Sequence, residues 1–510
     1  MTAAALVAAA AALVPVGYLF LRAAEGGVPA WLDAVARPRV AELAATSLAL
    51  TAVVTAACLV VGVGAAWLVT RSDTPGRRFL AVVLAMPLAV PSFVAAFTWV
   101  SVSDLLPWVD GGRLEGFGAA ALVLTLYTYP YVYLPVAAAF SRTDPAQEDV
   151  ARSLGRGPWR TFFTVTLPQA RLSIAGGGLL AALYTLSDFG AVAILRLDTF
   201  TRAIFTALEV GFNRQLALAL ATVLVVLTFV ILWGEGRTRR AIPAVRTGRT
   251  VRRAPAQRLG PWRWPAAAGL AAVLVAALGV PGVSLIRWMG AGTSLSAAAD
   301  RWLEAVLGSL SLALAGTLLT MLLALPVGVL AARHPGRVSR WVEHAVFLAH
   351  GLPGVVVGLS LVFLGASLAR PLYQTTWMVA FAYATLFLPL AVAAVSGAVA
   401  QSSPAIEEAA RSLGAPPRVV LRRVTLPLAA PGLGAGAALV MLTAMKELPA
   451  TLLLRPTGTD TLATRLWSAT GVGRYAEAAP YALTLVLLAA IPAWVVVHRT
   501  GVVPAEGVRA

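Results

Sequence analysis

The chain has 510 residues, of which 59% are hydrophobic and 12% charged, and its mean hydropathy is +0.80. Soluble domains carry about 45–50% apolar and about 25% charged residues, so this composition belongs in a bilayer. The net charge of +17 does not point to nucleic acid, because the long apolar runs leave no water-soluble body to carry a basic surface.

In chain order, the stretches near 3–22, 46–70, 79–102, 117–140, 173–195, 215–233, 265–287, 305–331, 342–367, 376–400, 431–454 and 479–497 carry few or no charges. Each has about 20 residues, enough for a helix to cross a hydrocarbon core of about 30 Å. The expected fold class is all-α: a polytopic membrane protein of about 12 helices in two related six-helix halves. The first stretch lacks a basic start and runs directly into charged residues, so it reads as an uncleaved helix. Pro87 and Pro91 interrupt the third stretch and Pro353 the ninth; a proline frees a carbonyl and bends the rod, a device of pathways and of packing alike. The sole cysteine, Cys58, excludes a disulfide framework or thiolate site. His344 and His350 have no companion carboxylate cluster, so no metal site is expected.

Residues 234–264 hold nine arginines, one acid and no apolar face, and read as a solvated linker between a first half, 1–233, and a second, 265–510. With the N-terminus inside, the segments 71–78, 141–172, 234–264, 332–341, 401–430 and 498–510 face the cytoplasm with 26 basic and 8 acidic residues. The other side has 13 and 12. That asymmetry places both termini in the cytoplasm.

The halves repeat each other. "EDVARSLGRGPWRTFFTVTLP" at 148–168 aligns without a gap to "EEAARSLGAPPRVVLRRVTLP" at 407–427, a constant shift of 259. The register continues to pair Asp188 with Glu447 and Arg196 with Arg455, while Pro91 pairs with Pro353 at a shift of 262, and Ser47 and Ser309 open similar helices. Each copy suits two short helices at the membrane surface. Gly155 and Gly414 permit a sharp turn, the prolines at 158, 416 and 417 start a fresh helix, and Leu167-Pro168 and Leu426-Pro427 mark where the next membrane helix begins. Presented twice, such a loop is shaped to dock two copies of one soluble partner.

Glu408, Ala409 and Ala410, then Gly414, Val424, Leu426 and Pro427, form a pattern similar to the EAA loop of the membrane subunits of binding-protein-dependent ABC importers. The first copy departs from it, with Asp149 and Val150 ahead of Ala151. With "LSDFGAVAIL" at 186–195 and "MKELPATLLLRP" at 445–456, the chain resembles the fused permeases of the ferric-iron type over about 450 residues. The resemblance implies a coupling helix seated in a groove of an ATP-binding subunit, at Gly155 to Arg160, with Arg156 and Trp159, and at Gly414 to Arg418, with Pro417. It also implies two copies of that ATPase and an extracytoplasmic substrate-binding protein as partners.

No nucleotide is expected on this chain. Its only lysine, Lys446, follows Ala-Met, so no phosphate-cradling P-loop exists; ATP belongs to the partner subunits, and neither a cofactor nor an enzymatic activity is expected. Ser187, Asp188, Lys446 and Glu447 sit in apolar stretches, where charge is costly. Two readings stay open: carboxylates satisfied locally, or acids near a pseudo-axis that attract a cation or shape a gate. An ion-coupled transporter of six plus six helices is the alternative function, and thiamine, polyamine or phosphonate are alternative substrates.

Overall fold

The computed structural model describes residues 1–25, 27–105, 113–142, 145–240, 257–291 and 295–499. They are almost wholly helical, and the only extended pairing among them is an isolated bridge between Ser72 and Gln257. Among the described residues, eight helices are long and apolar enough to span a membrane, including Thr2–Glu25, Pro38–Arg71 and Thr376–Gln401. Large hydrophobic side chains such as Val60, Ile286 and Leu322 lie exposed on them, as expected of surfaces that meet lipid.

Four of the twelve expected spans are not continuous rods. Residues 79–102 and 342–367 fold as pairs of helices bent by 92° and 97°, and the breaks end at Pro91 and Pro353, which head the helices Ser92–Val100 and Gly354–Ser367. If each bent pair is one span, the number of candidate spans rises to ten. Residues 173–195 and 431–454 are also divided: helix Arg171–Ser187 stops before a short helix Gly190–Ile194, and Leu426–Met445 stops before Pro449–Leu454. Proline accounts for the first two breaks. Capping carboxylates, described below, account for the others. The expected linker is helical as far as Arg240, resumes at Gln257, and otherwise lies outside the described residues.

The chain forms two compact units, each assembled from separate stretches. One comprises Met1–Arg37, Ala203–Val226 and Ser294–Ser468. Here helix Thr2–Glu25 turns its small face, Ala5, Ala8 and Ala12, inward and packs on helices Leu295–Arg333 and Gly354–Ser367. Small residues let membrane helices approach closely, and Ser360 closes the contact by donating to the Pro15 carbonyl at 2.5 Å.

The other unit comprises Pro38–Arg202, Leu227–Thr293 and Ala469–Ala510. Its centre is helix Pro38–Arg71 against Gly116–Thr128, Pro130–Arg142 and Arg171–Ser187. Buried tyrosines tie the bent pair to this centre, Tyr129 donating to the Leu84 carbonyl at 2.7 Å and Tyr133 to that of Ala81 at 2.8 Å. Helix Val280–Gly290 packs on Ser92–Val100, with Ser101 and Ser284 hydroxyls 2.7 Å apart.

Candidate functional site

The repeated loops fold alike. Helix Pro145–Ser153 ends at Gly155, and helix Pro404–Ser412 ends at Gly414, with φ of +79° and +82°. This left-handed conformation is costly for any residue with a Cβ. The turn closes by paired bonds, Gly155 N–H to Arg152 and Arg156 N–H to Ala151 in one copy, Gly414 N–H to Arg411 and Ala415 N–H to Ala410 in the other. Bonds of this pattern satisfy carbonyls that a helix end would leave open. Pro158 and Pro417 then head the short helices Pro158–Thr161 and Pro417–Val420. A wide π turn follows in both copies, at 162–166 and 421–425, just before the Leu-Pro pairs.

What holds each loop to its membrane helices is a buried ion pair that the sequence motif does not contain. Glu148, 5% exposed, accepts from Arg71 at 3.0 Å and from the Thr166 hydroxyl at 2.8 Å. Glu407, also 5% exposed, accepts from Arg333 Nε at 2.9 Å and from the Thr425 hydroxyl at 3.0 Å. Arg71 and Arg333 are the last residues of the long helices Pro38–Arg71 and Leu295–Arg333. Each clasp therefore joins a membrane helix, the first surface helix and the π turn at one carboxylate. A buried pair is stable only when its remaining polar atoms are also bonded, and the threonines supply part of that, with Ser402 adding two contacts to Arg333.

The acids expected to matter, Asp149 and Glu408, stand one position later and are exposed; so are Ala409, Arg156, Trp159, Pro168, Pro417 and Pro427. Ala151 is buried, and Ala410, Leu167 and Leu426 are half-buried. A signal for the clasp was present in the sequence: Arg71 and Arg333 pair at a shift of 262, and Glu148 with Thr166 recurs as Glu407 with Thr425 at 259.

The outward surfaces differ. In the first copy Trp159 stacks on Trp67 and Phe163, with centroids 6.2 and 6.4 Å away. Arg418 and Arg422 occupy the corresponding positions of the second copy.

At the far end of the following helix lie the remaining expected residues. Helix Arg171–Ser187 has 17 residues, about 25 Å of rise, so Asp188 stands nearly a membrane thickness from its loop. Asp188 Oδ1 accepts the N–H groups of Ala191 and Val192 at 3.0 and 3.3 Å, and its carbonyl accepts from Thr201 at 2.6 Å. Glu447 does the same for Pro449–Leu454, accepting from Ala450 and Thr451 N–H at 3.0 Å each and from the Thr451 hydroxyl at 2.7 Å. Both acids thus satisfy open N–H groups at the start of a short helix. Ser187 ends its helix, and Lys446 occupies the break after Met445.

The two breaks are matched in size. Asp188 meets the Ser92 side chain, whereas a Cβ added to Gly354, the counterpart of Ser92 at a shift of 262, would lie 2.7 Å from Glu447 Oε1. The shorter acid faces the larger partner. Ser47 and Ser309 also gain a role: their hydroxyls accept the first N–H of helices Phe200–Glu209 and Leu462–Gly471, from Phe200 at 3.1 Å and Leu462 at 2.8 Å. Among the described residues no cluster of three His, Cys, Asp or Glu is placed to hold a metal ion.

Residues 59–235 and 324–499 each match the family model of the binding-protein-dependent transport system inner membrane component. The chain belongs to this family. The two matches make it a fused permease with an internal repeat, a multi-pass membrane component of an ABC importer. The Fe(3+)-transport system permease protein FbpB 2 of Haemophilus influenzae is 37% identical over 482 residues, 94% of each chain. The sulfate transport system permease protein CysW of Escherichia coli is 29% identical over 37% of this chain and 68% of its own. The putative 2-aminoethylphosphonate transport system permease protein PhnV of Salmonella typhimurium is 32% identical over 36% and 69%.

Proposed function

We propose that this permease carries ferric iron, delivered by an extracytoplasmic binding protein, through the inner membrane, driven by two copies of a separate ATPase subunit. The observation that carries the substrate is the 37% identity to an Fe(3+) permease across 94% of both chains; the sulfate and phosphonate relatives align over little more than a third of this one. Two docking sites for one ATPase are supported by the duplicated loop, whose turn is held outward by the same buried clasp in each half. Residues Asp149, Ala151, Gly155, Arg156, Trp159, Leu167 and Pro168, with Glu408, Ala409, Ala410, Gly414, Pro417, Leu426 and Pro427, form the two grips. Closure of the ATPase pulls on them, and the clasps pass the motion to the long helices ending at Arg71 and Arg333.

In this reading the chain binds no nucleotide or cofactor of its own and performs no catalysis, ATP being held by the ATPase subunits. Both termini lie in the cytoplasm, in keeping with the charge asymmetry. Pro91 and Pro353, with Ser187, Asp188, Lys446 and Glu447, set the bends along the pathway; Asp188 and Glu447 serve it by fixing short helices. The test is co-purification with the ATPase, followed by hydrolysis assays with binding proteins loaded with ferric iron, sulfate or phosphonate. Ferric-loaded protein is expected to stimulate hydrolysis, and stimulation by another cargo alone would reassign the substrate. Gly414→Pro, which forces φ to about −65° where the turn needs a positive value, should preserve insertion and abolish coupling. Full transport by that variant would remove the coupling role.

A further inference from the structure

A cleft of about 590 Å³ lies where the chain re-emerges after its basic connection, lined by Asp73, Arg258, Gly260, Pro261, Arg263 and Trp264. Its base is fixed. Gln257 N–H donates to the Arg71 carbonyl at 2.8 Å, Asp73 N–H to the Gln257 carbonyl at 3.1 Å, and Leu259 N–H to Asp73 Oδ1 at 2.8 Å. The one acid in the cleft is thus turned onto backbone, while Arg258 and Arg263 are both exposed, and the Arg263 guanidinium rests over the Trp264 ring at 5.6 Å. Trp262 and Trp264 are exposed beside it, and the apolar span Gly260–Gly290 begins at this point. Tryptophans at the start of a span mark the depth of the headgroups. The prevailing anion at that depth is a lipid phosphate, and a guanidinium suits it through charge and paired N–H donors.

We propose that this cleft binds the phosphate headgroup of an anionic lipid, its acyl chains lying along Gly260–Gly290. The site is on the same side of the bilayer as loop 148–168, because Asp73 stands two residues beyond Arg71, whose guanidinium holds Glu148. Through the Gln257 to Leu259 strap, a bound lipid steadies the first clasp. Nothing comparable is attached to the clasp of Arg333 among the described residues.

The test uses the full chain in nanodiscs of phosphatidylcholine with or without phosphatidylglycerol, reading the number of phosphatidylglycerol molecules retained on extraction and the melting temperature. Wild type should retain phosphatidylglycerol and melt higher in its presence. Arg258→Gln with Arg263→Gln should bind it about 30-fold more weakly, two basic contacts at the strength typical of an anionic leaflet, with an unchanged elution profile. Trp264→Ala should weaken retention of phosphatidylglycerol without altering the response to salt. Equal retention by wild type and the double variant overturns the proposal. So does a melting shift that inorganic phosphate reproduces in pure phosphatidylcholine discs, which would make this a site for a free anion.

Discussion

The two surface loops agree inside and differ outside. Glu148 and Glu407 make the same contacts to an arginine and a threonine, yet Trp159 and Phe163 in one copy stand where Arg418 and Arg422 stand in the other. What the duplication retained is the attachment of loop to membrane helix. The outward face diverged, so the duplication kept the buried attachment more closely than the exposed surface beside it. The helix breaks teach a related lesson: Asp188 with Ser92 and Glu447 with Gly354 are different residues filling one shape.

The largest effects should come from the clasps. Removing one partner of a buried ion pair costs about 3–5 kcal/mol, so Glu148→Ala and Glu407→Ala should lower the melting temperature sharply and uncouple the ATPase. Glu148→Ala should be the worse, since the Arg71 pair is 5% and 6% exposed against 13% and 7% for the Arg333 pair. Equal, mild effects would show that the clasps are not what the duplication retained.

Next come the breaks. A Cβ at Gly190 would fall 2.5 Å from the Phe93 Cβ, and overpacking of this kind costs about 1–3 kcal/mol; thermal melting of Gly190→Ala measures it. Gly354→Ala should be comparably harmful alone and largely repaired by Glu447→Asp. Failure of the repair would mean that the size match is accidental. Ser47→Ala and Ser309→Ala remove equivalent caps and should each cost about 1 kcal/mol, alike in both halves. Smallest in stability are the outward residues. Arg418→Ala should shift stability within about 0.5 kcal/mol yet flatten the salt dependence of ATPase association, because exposed charge contacts are screened. Trp159→Ala should weaken association without that change.

Much of this is legible in the sequence, at the level of apolar runs and the register of the repeat. The turns at Gly155 and Gly414 and the bends at Pro91 and Pro353 follow from residue chemistry alone. The clasp escapes a motif reading because the motif's acids, Asp149 and Glu408, stand one residue from the buried ones, and because its arginines lie 77 and 74 residues away. The breaks at Asp188 and Glu447 were hidden for another reason. An apolar run with a single acid looks like a rod carrying a charge, and only tertiary packing reveals that the acid begins a new helix. Helices Phe200–Glu209 and Leu462–Gly471 leave no such signal, being too short and mixed to resemble a span.

The interleaving of segments has a genetic consequence. Each compact unit draws residues from before and after 241–256, so a gene divided there would yield two polypeptides, neither containing every helix of either unit. Such products would have to be synthesised in equal amounts and meet in the same membrane before folding could finish. A single reading frame guarantees that stoichiometry at every round of translation.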